Sequence, residues 1–216
     1  GKGLLKQWTE ENFHSYDGHI FIMSMGIVYR IIAPLITDKY QDPAVVVVDD
    51  ASRYAIAALS GHEGGANRLA FKAAQILDAQ PVVTTASDTN KRIIIGIGCR
   101  KGTSSKDIQL AVLTVLKANH LELDEVRLAA SVDIKKEEKG MIEAFNHLDI
   151  PLLFISSEKI RTFTGYKNIS EAAQRQLGLP GVSEPCALLS GRNTALIQER
   201  VVTGPVTIAL AREDEK

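Results

Sequence analysis

The sequence predicts an α/β protein made of two small units, each with a mostly parallel sheet flanked by helices. Apolar runs of strand length alternate with segments of helical periodicity along the chain, which is typical of parallel sheets covered by helices. The run Ala44–Val48 contains four consecutive valines, a pattern that favours a strand buried on both faces. Two glycine-rich segments, Ser60–Gly65 and Gly96–Gly102, each join a predicted strand to a predicted helix.

The first half of the chain contains four predicted strands and three predicted helices. The first helix is indicated by apolar residues near helical spacing, and the second ends near Pro34, because proline cannot continue a helix. In chain order these elements are a helix over Leu4–Phe13, a strand over Ile20–Met23, a helix over Ile27–Ile36, strands over Ala44–Val48 and Tyr54–Leu59, a helix from Ala66 to Leu77, and a strand over Pro81–Val83.

The stretch Thr84–Asn90 is polar and turn-rich. We place the domain boundary at Ser87–Lys91, which divides the chain into residues 1–90 and 91–216. The second part again alternates strands and helices, and Ser104 is placed to cap its first helix. Its predicted strands are Ile93–Ile95, Val126–Ser131, Leu152–Ile155, Thr194–Gln198 and Val206–Ala211. Its further predicted helices are Glu138–Leu148, Glu171–Leu177 and Ser183–Leu189.

Composition excludes several classes of protein. The net charge of −1 gives no general attraction to nucleic acid or to acidic membranes. No apolar segment reaches the ~18–20 residues needed to span a bilayer, and the N-terminus carries no signal-peptide pattern. Cys99 and Cys186 lie far apart and lack a CxxC spacing, so we expect reduced thiols in a cytoplasmic protein, without a structural zinc site.

The segment Leu59–Asn67 is the first candidate site, because it joins a strand to a helix and is rich in glycine. Glycine lets the backbone approach a ligand, and the first N–H groups of a helix favour a carboxylate or phosphate. His62 can act as a base near neutral pH. We expect a ligand near Gly61, Gly64 and Gly65, and the alternative is a tight turn without one.

The segment Gly96–Ser104 is a second candidate site of the same kind. Its glycine spacing fits neither the dinucleotide fingerprint nor the Walker loop. Two cations beside the glycines favour the binding of an anion. Cys99 is either a thiol activated by those cations or a small buried residue. The candidate ligand-binding residues here are Gly98, Cys99, Arg100, Lys101 and Thr103.

Charged residues at other junctions are also candidates. Asp49 ends the most apolar strand, where open α/β sheets bind ligands, or it pairs with Arg53 instead. The run Asp133–Glu138, with Lys135 inside it, binds or catalyses, or it forms a charged cap on a solvated helix. Glu184 falls in a predicted first helical turn, where a carboxylate also stabilises the helix dipole.

An ordered set of motifs in both halves resembles one family. In the first half the matching segments are Gly26–Arg30, Ile32–Leu35, Asp42–Asp49, Leu59–Asn67 (pattern SGHxGGAN) and Pro81–Asp88 (pattern PVxTTAxD). In the second half they are Gly96–Gly102, Ser131–Glu138, Gly181–Leu188 and Gly204–Thr207. Together they resemble the cobalt-precorrin-5A hydrolase family of anaerobic cobalamin biosynthesis.

The resemblance implies a domain assignment. Residues 1–90 are similar to the N-terminal domain of the family without its first strand and helix. Residues 91–216 are similar to its C-terminal domain, which also exists as a stand-alone protein in aerobic cobalamin synthesis. The middle region that separates the two domains in the family has no counterpart here.

The resemblance also implies an activity. The family opens a δ-lactone on a cobalt corrinoid and releases acetaldehyde. On this basis His62 is the expected general base, the amides of Gly64 and Gly65 hold the oxyanion, and Asn67 orients the substrate or the base. Asp133 and Glu184 are the alternative catalytic residues.

The implied ligands follow from the same resemblance. The substrate is a cobalt corrinoid, a broad apolar ring edged by carboxylates, and it brings its own cobalt, so we expect no cofactor and no protein metal site. Arg53, Arg100 and Lys101 are candidates to bind the carboxylates. Other enzymes of the cobalamin pathway are candidate partners, and neither nucleic acid nor a membrane is expected. The alternative function is a non-catalytic corrinoid carrier of the same pathway.

Overall fold

The computed structural model describes residues 2–165 and 169–214, and the chain divides into two units, Gly1–Asp88 and Thr89–Lys216. A four-stranded sheet lies in the first unit and a five-stranded sheet in the second, and helices flank both. The predicted α/β class with two sheet-containing units is therefore confirmed. None of the described helices is both long enough and apolar enough to cross a membrane.

The first unit follows the predicted element order closely. Its helices and strands are α1 (Lys2–Asn12), β1 (Gly18–Ile22), α2 (Met25–Ile32), β2 (Ala44–Val48), β3 (Tyr54–Leu59), α3 (Ala66–Leu77), β4 (Gln80–Val82) and α4 (Ala86–Thr89). The strand order is β1-β2-β3-β4. The short helix α4 lies in the stretch that we predicted as turns, and its four residues are too few for a periodicity signal.

Strand β2 forms the centre of the first unit. All five of its residues are buried, as the valine run predicts. On one face Val46 and Val48 pack against alanines of α3, and on the other Val45 and Val47 pack with Phe13 and residues of α2. The residues that α3 contributes to this side of the core are mainly alanines.

The pairing of β2 with β3 decides where the candidate residues lie. Strands β1 and β2 are parallel, as are β3 and β4, but β2 and β3 are antiparallel, with Val48 opposite Ala55 and Val45 opposite Leu59. The carboxyl ends of β2 and β3 therefore lie at opposite ends of the sheet. Because β3 has six residues, these ends are about 17 Å apart at ~3.4 Å per residue.

The second unit contains five strands and five helices among its described residues. These are β5 (Ile93–Cys99), α5 (Ser105–Ala118), β6 (Val126–Val132), α6 (Lys139–His147), β7 (Leu152–Ile155), α7 (Ser157–Thr162), α8 (Glu171–Leu177), α9 (Ser183–Leu189), β8 (Thr194–Thr203) and β9 (Val206–Glu213). The strand order is β7-β6-β5-β9-β8. Strands β5, β6 and β7 are parallel, whereas β9 is antiparallel to both β5 and β8.

The predicted loop at Gly96 is wrong, because strand β5 continues through Gly96, Ile97 and Gly98 to Cys99. Both glycines are explained by packing. A Cβ on Gly96 would lie 1.8 Å from the carbonyl oxygen of Ser183 in α9, so only glycine lets this helix lie against the strand. The true loop covers residues 100–104, and Ser104 caps α5 as predicted, accepting the N–H of Asp107 at 3.1 Å.

The two faces of β5 have different neighbours. Ile93, Ile95 and Ile97 join the core formed with α5 and α6, and all three are buried. The opposite face carries the glycines and packs on α9. This arrangement explains the uninterrupted burial of a strand that contains two glycines, and it leaves room beside Gly98.

Candidate functional site

The loop of residues 60–65 in the first unit is closed by its own backbone. The N–H of Ala66 donates to Ser60 O at 3.1 Å, and the N–H of Asn67 donates to Gly61 O at 2.9 Å. Gly65 has a φ of 82°, in the left-handed region that glycine adopts without strain. The expectation that the first N–H groups of the helix face a ligand is wrong for Ala66 and Asn67, because the loop uses them.

The amides just before the helix remain available for a ligand. Within the described ranges, the N–H groups of residues 62–65 donate to no other protein group. His62 is exposed, and its imidazole makes no hydrogen bond to another described residue. Four unused amides and a free imidazole therefore share one short loop. Such a loop can accept a developing negative charge and a proton at neighbouring positions.

Asn67 anchors this loop to the segment that follows β4. Its side-chain amide donates to Thr85 Oγ1 at 2.8 Å and to Asp88 Oδ2 at 2.5 Å, and Thr85 Oγ1 donates to Asp88 Oδ2 at 2.6 Å. The amide oxygen Oδ1 of Asn67 is buried without a hydrogen-bond partner among the described residues. A Cβ on Gly61 would lie 2.5 Å from Thr85 Cγ2 and 2.8 Å from that oxygen, so glycine is required for this contact.

Asp49 and Arg53 form the turn between β2 and β3. Asp49 Oδ1 accepts the backbone N–H groups of Arg53 at 2.7 Å and Tyr54 at 2.8 Å, and Oδ2 accepts Arg53 Nε at 3.0 Å. The hydrogen bond from Tyr54, together with Arg53, holds the pKa of Asp49 below its usual value. This turn lies at the end of the sheet opposite to His62, because the two strands are antiparallel.

The carboxyl ends of β5, β6 and β7 form a second cluster, in the second unit. Parallel pairing brings Cys99, Asp133 and Ser157 to one edge of the sheet. Ser157 Oγ lies 3.5 Å from Asp133 Oδ2, while Asp133 Oδ1 is buried with no hydrogen-bond partner in the described chain. Open α/β sheets bind ligands at this edge.

Lys135 and Glu138 form a largely buried ion pair rather than a solvated cap. Lys135 Nζ lies 3.1 Å from Glu138 Oε2, and their side chains are 12% and 10% exposed. Glu138 Oε1 also accepts the N–H of Gly102 at 2.7 Å. Burial raises the pKa of Glu138, but the Gly102 hydrogen bond and Lys135 outweigh it and hold that pKa below its usual value. The pair therefore fixes the loop of residues 100–104.

The side chains in that loop have different roles. Thr103 is buried, and its hydroxyl donates to Arg100 O at 2.7 Å, so it closes the turn. Arg100 and Lys101 are exposed. Burial raises the pKa of the Cys99 thiol despite the nearby Lys135, so Cys99 is protonated at neutral pH. This argues against the activated thiol, and Cys99 is a small, partly buried residue.

Glu184 is buried and supports a neighbouring strand. It is 3% exposed, and its Oε1 accepts the backbone N–H of Arg200 at 3.1 Å. Cys186, in the same helix, is fully buried, and burial together with Asp133 raises its pKa strongly. Neither side chain is presented to solvent.

A pocket of about 170 Å³ opens beside the carboxyl end of β5. Its polar lining residues include Cys99, Arg100, Lys135, Arg200 and Thr207, and Gly98 lies in its wall. In the described part of the chain, no group of three or more His, Cys, Asp or Glu side chains could hold a metal ion.

Sequence reasoning missed Thr85, Asp88 and Arg200. The first two follow β4 in a segment that we quoted only as a motif, and a polar cluster after a strand beside the glycine-rich loop was the available signal. Arg200 carried no signal, because it lies within a strand that we predicted to end at Gln198.

Comparisons with known proteins cover most of the chain. Residues 7–88 match the family model described as Cobalamin synthesis G N-terminal, and residues 93–211 match Cobalamin synthesis G C-terminus. The cobalt-precorrin-5A hydrolase of Priestia megaterium is 26% identical over 308 residues, covering 97% of this chain and 82% of the relative. The protein of the same name from Salmonella typhimurium strain LT2 is 26% identical over 294 residues, covering 94% and 84%.

A solved structure resembles part of the chain. The crystal structure of CobE, described as a protein from the cobalamin (vitamin B12) biosynthetic pathway, matches with a TM-score of 0.52 and 28% identity. The match covers 56% of this chain and 89% of CobE. The alignments to the two hydrolases are longer than the 216 residues of this chain, so those relatives contain internal segments that it lacks.

Proposed function

This chain belongs to the cobalamin synthesis G family, and from that premise we propose that it is a cobalt-precorrin-5A hydrolase of cobalamin biosynthesis. Two family models match in order along the chain, and relatives of that name align with more than nine-tenths of it. The observation that carries the chemistry is the loop of residues 60–65, where an exposed His62 stands beside unused amides.

The proposed reaction needs two kinds of group from the protein. Water adds to the carbonyl carbon of the lactone, a negative charge develops on the carbonyl oxygen, and the acyl C–O bond then breaks to give a carboxylate and an alkoxide. The alkoxide carbon leaves as acetaldehyde when its C–C bond to the macrocycle breaks, and the macrocycle carbon keeps the electron pair and takes up a proton. A base must take a proton from the water, and N–H donors must stabilise the oxyanion. In our proposal His62 is the base, and the amides of Gly64 and Gly65 bind the oxyanion.

Asn67, Thr85 and Asp88 position this loop. Their hydrogen bonds join the start of α3 to the segment after β4, and their side chains are at least partly buried. Because Asn67 commits both of its N–H groups to these partners, we assign it to positioning rather than to contact with the reacting atoms. A positioned loop needs less reorganisation at the moment of reaction, which favours catalysis.

The second unit supplies an alternative base and the substrate-binding cations. Asp133 lies at the carboxyl edge of a parallel sheet and has a buried, unused oxygen, so it takes the role of base if His62 proves dispensable. Glu184 is committed to the backbone of Arg200. Arg100 and Lys101 are exposed cations that suit the carboxylates around a corrinoid. Cobalt is part of the substrate, so the proposal requires no cofactor held by the protein.

Acetaldehyde release tests the proposal. The purified protein is incubated without oxygen with the cobalt-precorrin lactone, and acetaldehyde is measured through its reduction by alcohol dehydrogenase and NADH. We expect one equivalent of acetaldehyde per equivalent of lactone consumed. Binding of the lactone without acetaldehyde would contradict the hydrolase and support a corrinoid carrier.

A further inference from the structure

The pocket in the second unit is lined by basic side chains. Arg100, Lys135 and Arg200 line it, and no Asp or Glu is among its lining residues. Lys135 has its counter-ion in Glu138, whereas neither arginine lies within ion-pair distance of a carboxylate among the described residues. Two uncompensated guanidiniums at one small pocket favour an anion, and their planar forks suit a carboxylate.

Arg200 enters the pocket from an irregular strand. Gln198 pairs with Leu210 and Val201 pairs with Ile208, so three steps on β8 oppose two on β9 and form a bulge. The buried Glu184 accepts the N–H of Arg200 inside this bulge. Bulges redirect side chains and often lie beside functional sites. Here the bulge and Glu184 together fix the backbone from which Arg200 reaches the pocket.

The Nε atom of the Arg200 side chain has no hydrogen-bond acceptor among the described residues. This Nε atom is buried, and its N–H donates to no group in the described chain. A buried polar atom without a partner costs free energy that a bound acceptor would recover. A carboxylate oxygen in the pocket supplies such an acceptor.

The shape of the pocket is set by Gly98. Thr207 of β9 pairs with Val202 of β8 and with Gly98 of β5. The side chains of Val202 and Thr207 therefore lie on the sheet face toward which a side chain at Gly98 would point. A Cβ on Gly98 would lie 2.8 Å from Thr207 Oγ1 and 3.5 Å from Val182 Cβ. The missing side chain therefore keeps open a space with apolar walls and a polar, cationic rim.

We propose that this pocket binds one carboxylate side chain of the corrinoid, with Arg200 as the residue that recognises the carboxylate. A volume of about 170 Å³ is below the ~300–1,000 Å³ of pockets that enclose whole small molecules, so it suits one arm of a macrocycle. The apolar walls contact the methylene groups of the arm, and Arg100 and Arg200 bind its end. The identity of the macrocycle rests on the proposed function.

Binding measured by calorimetry tests this pocket without requiring turnover. The probes are a dicyano-corrinoid with free side-chain carboxylates, the same ring with those carboxylates converted to primary amides, and inorganic phosphate. We expect the acid to bind at least about 10-fold more tightly than the amide. Arg200→Gln should weaken binding of the acid by about 10-fold or more and leave the amide unchanged.

Two further variants keep the test sharp. Arg100→Gln changes an exposed side chain, so it should reduce acid binding without affecting folding. Arg192→Gln removes the same charge from an exposed position outside the pocket lining, and it should leave acid binding within about 2-fold of wild type.

The outcomes separate this inference from the proposed hydrolase. The proposed carboxylate pocket would be contradicted if the acid and amide corrinoids bound equally well, even if acetaldehyde is released. It would also be contradicted if Arg200→Gln and Arg192→Gln weakened binding of the acid equally. The proposed pocket would also be contradicted if inorganic phosphate displaced the acid corrinoid at a phosphate concentration below that of the corrinoid. Acid-selective binding that needs Arg200 supports the pocket even if no acetaldehyde appears.

Discussion

Asn67 donates a hydrogen bond to Asp88 Oδ2 at 2.5 Å across 21 residues of sequence. The contact forms because β3 and β4 are parallel neighbours, so the chain leaves both strands at the same edge of the sheet. Thr85 completes the cluster by accepting from Asn67 and donating to Asp88. Hydrogen bonds among the side chains of Asn67, Thr85 and Asp88 therefore connect the glycine-rich loop that carries His62 to the segment after β4.

Removal of the Asn67 amide should loosen this loop. We expect Asn67→Ala to lower the free energy of unfolding by about 1–3 kcal/mol, because Thr85 and Asp88 lose a buried donor. Turnover should fall together with stability. Chemical denaturation measures the first effect and the acetaldehyde assay the second.

Asn12→Ala is the matched control, since Asn12 is half-buried and its amide donates only to the Trp8 carbonyl within a helix end. Its effect on unfolding should stay within about 0.5 kcal/mol and turnover should not change. Equal effects of the two substitutions would show that the Asn67 cluster has no special role.

Arg53 should be dispensable for the chemistry. It belongs to the β2–β3 turn at the end of the sheet opposite to His62, and it pairs with Asp49 on the protein surface. We expect Arg53→Ala to leave turnover and corrinoid affinity within about 2-fold of wild type. A 10-fold loss of affinity, measured by calorimetry, would return Arg53 to the substrate-binding residues.

The Lys135–Glu138 pair should make stability depend on pH. The pKa of Glu138 is lowered in the folded protein, so its contribution is present above the unfolded-state value of about 4.3 and is lost as pH falls through the folded value. Glu138→Gln should therefore cost about 1–3 kcal/mol of unfolding free energy at pH 7, and wild type and variant should converge in acid.

Glu171→Gln supplies the control for this pH dependence. Glu171 also pairs with a basic residue, Arg175 at 2.8 Å, but its side chain is 85% exposed. Its substitution should change stability by less than about 0.5 kcal/mol at either pH. Parallel stability curves for wild type and Glu138→Gln between pH 7 and pH 3 would contradict the assigned ion pair.

Helices and strands could be predicted from the sequence more accurately than the contacts between them. The valines of β2, the apolar face of α3 and the cap at Ser104 are local patterns, and each was placed correctly. The glycines of β5 were misread as a loop, because their cause is a helix that lies 87 residues further on at Ser183. No pattern in the sequence around Gly96 indicates that a distant helix packs against it.

The same distinction between local patterns and tertiary contacts applies to the candidate site. His62 and the glycines around it were visible from spacing within one loop. The antiparallel pairing of β2 and β3, which separates Asp49 from His62, depends on tertiary packing. Likewise, the contact of Glu184 with Arg200 joins a helix to a bulge, and neither residue type predicts it.

Single-turnover release of acetaldehyde by wild type and His62→Ala tests the central claim most directly. The comparison includes His120→Asn, which changes another exposed histidine, at a left-handed position that Asn tolerates. We expect His62→Ala to slow release by ~10²–10⁴-fold, with unchanged thermal stability and corrinoid affinity, while His120→Asn behaves as wild type. Release by His62→Ala at the wild-type rate would contradict the claim and move the base to Asp133.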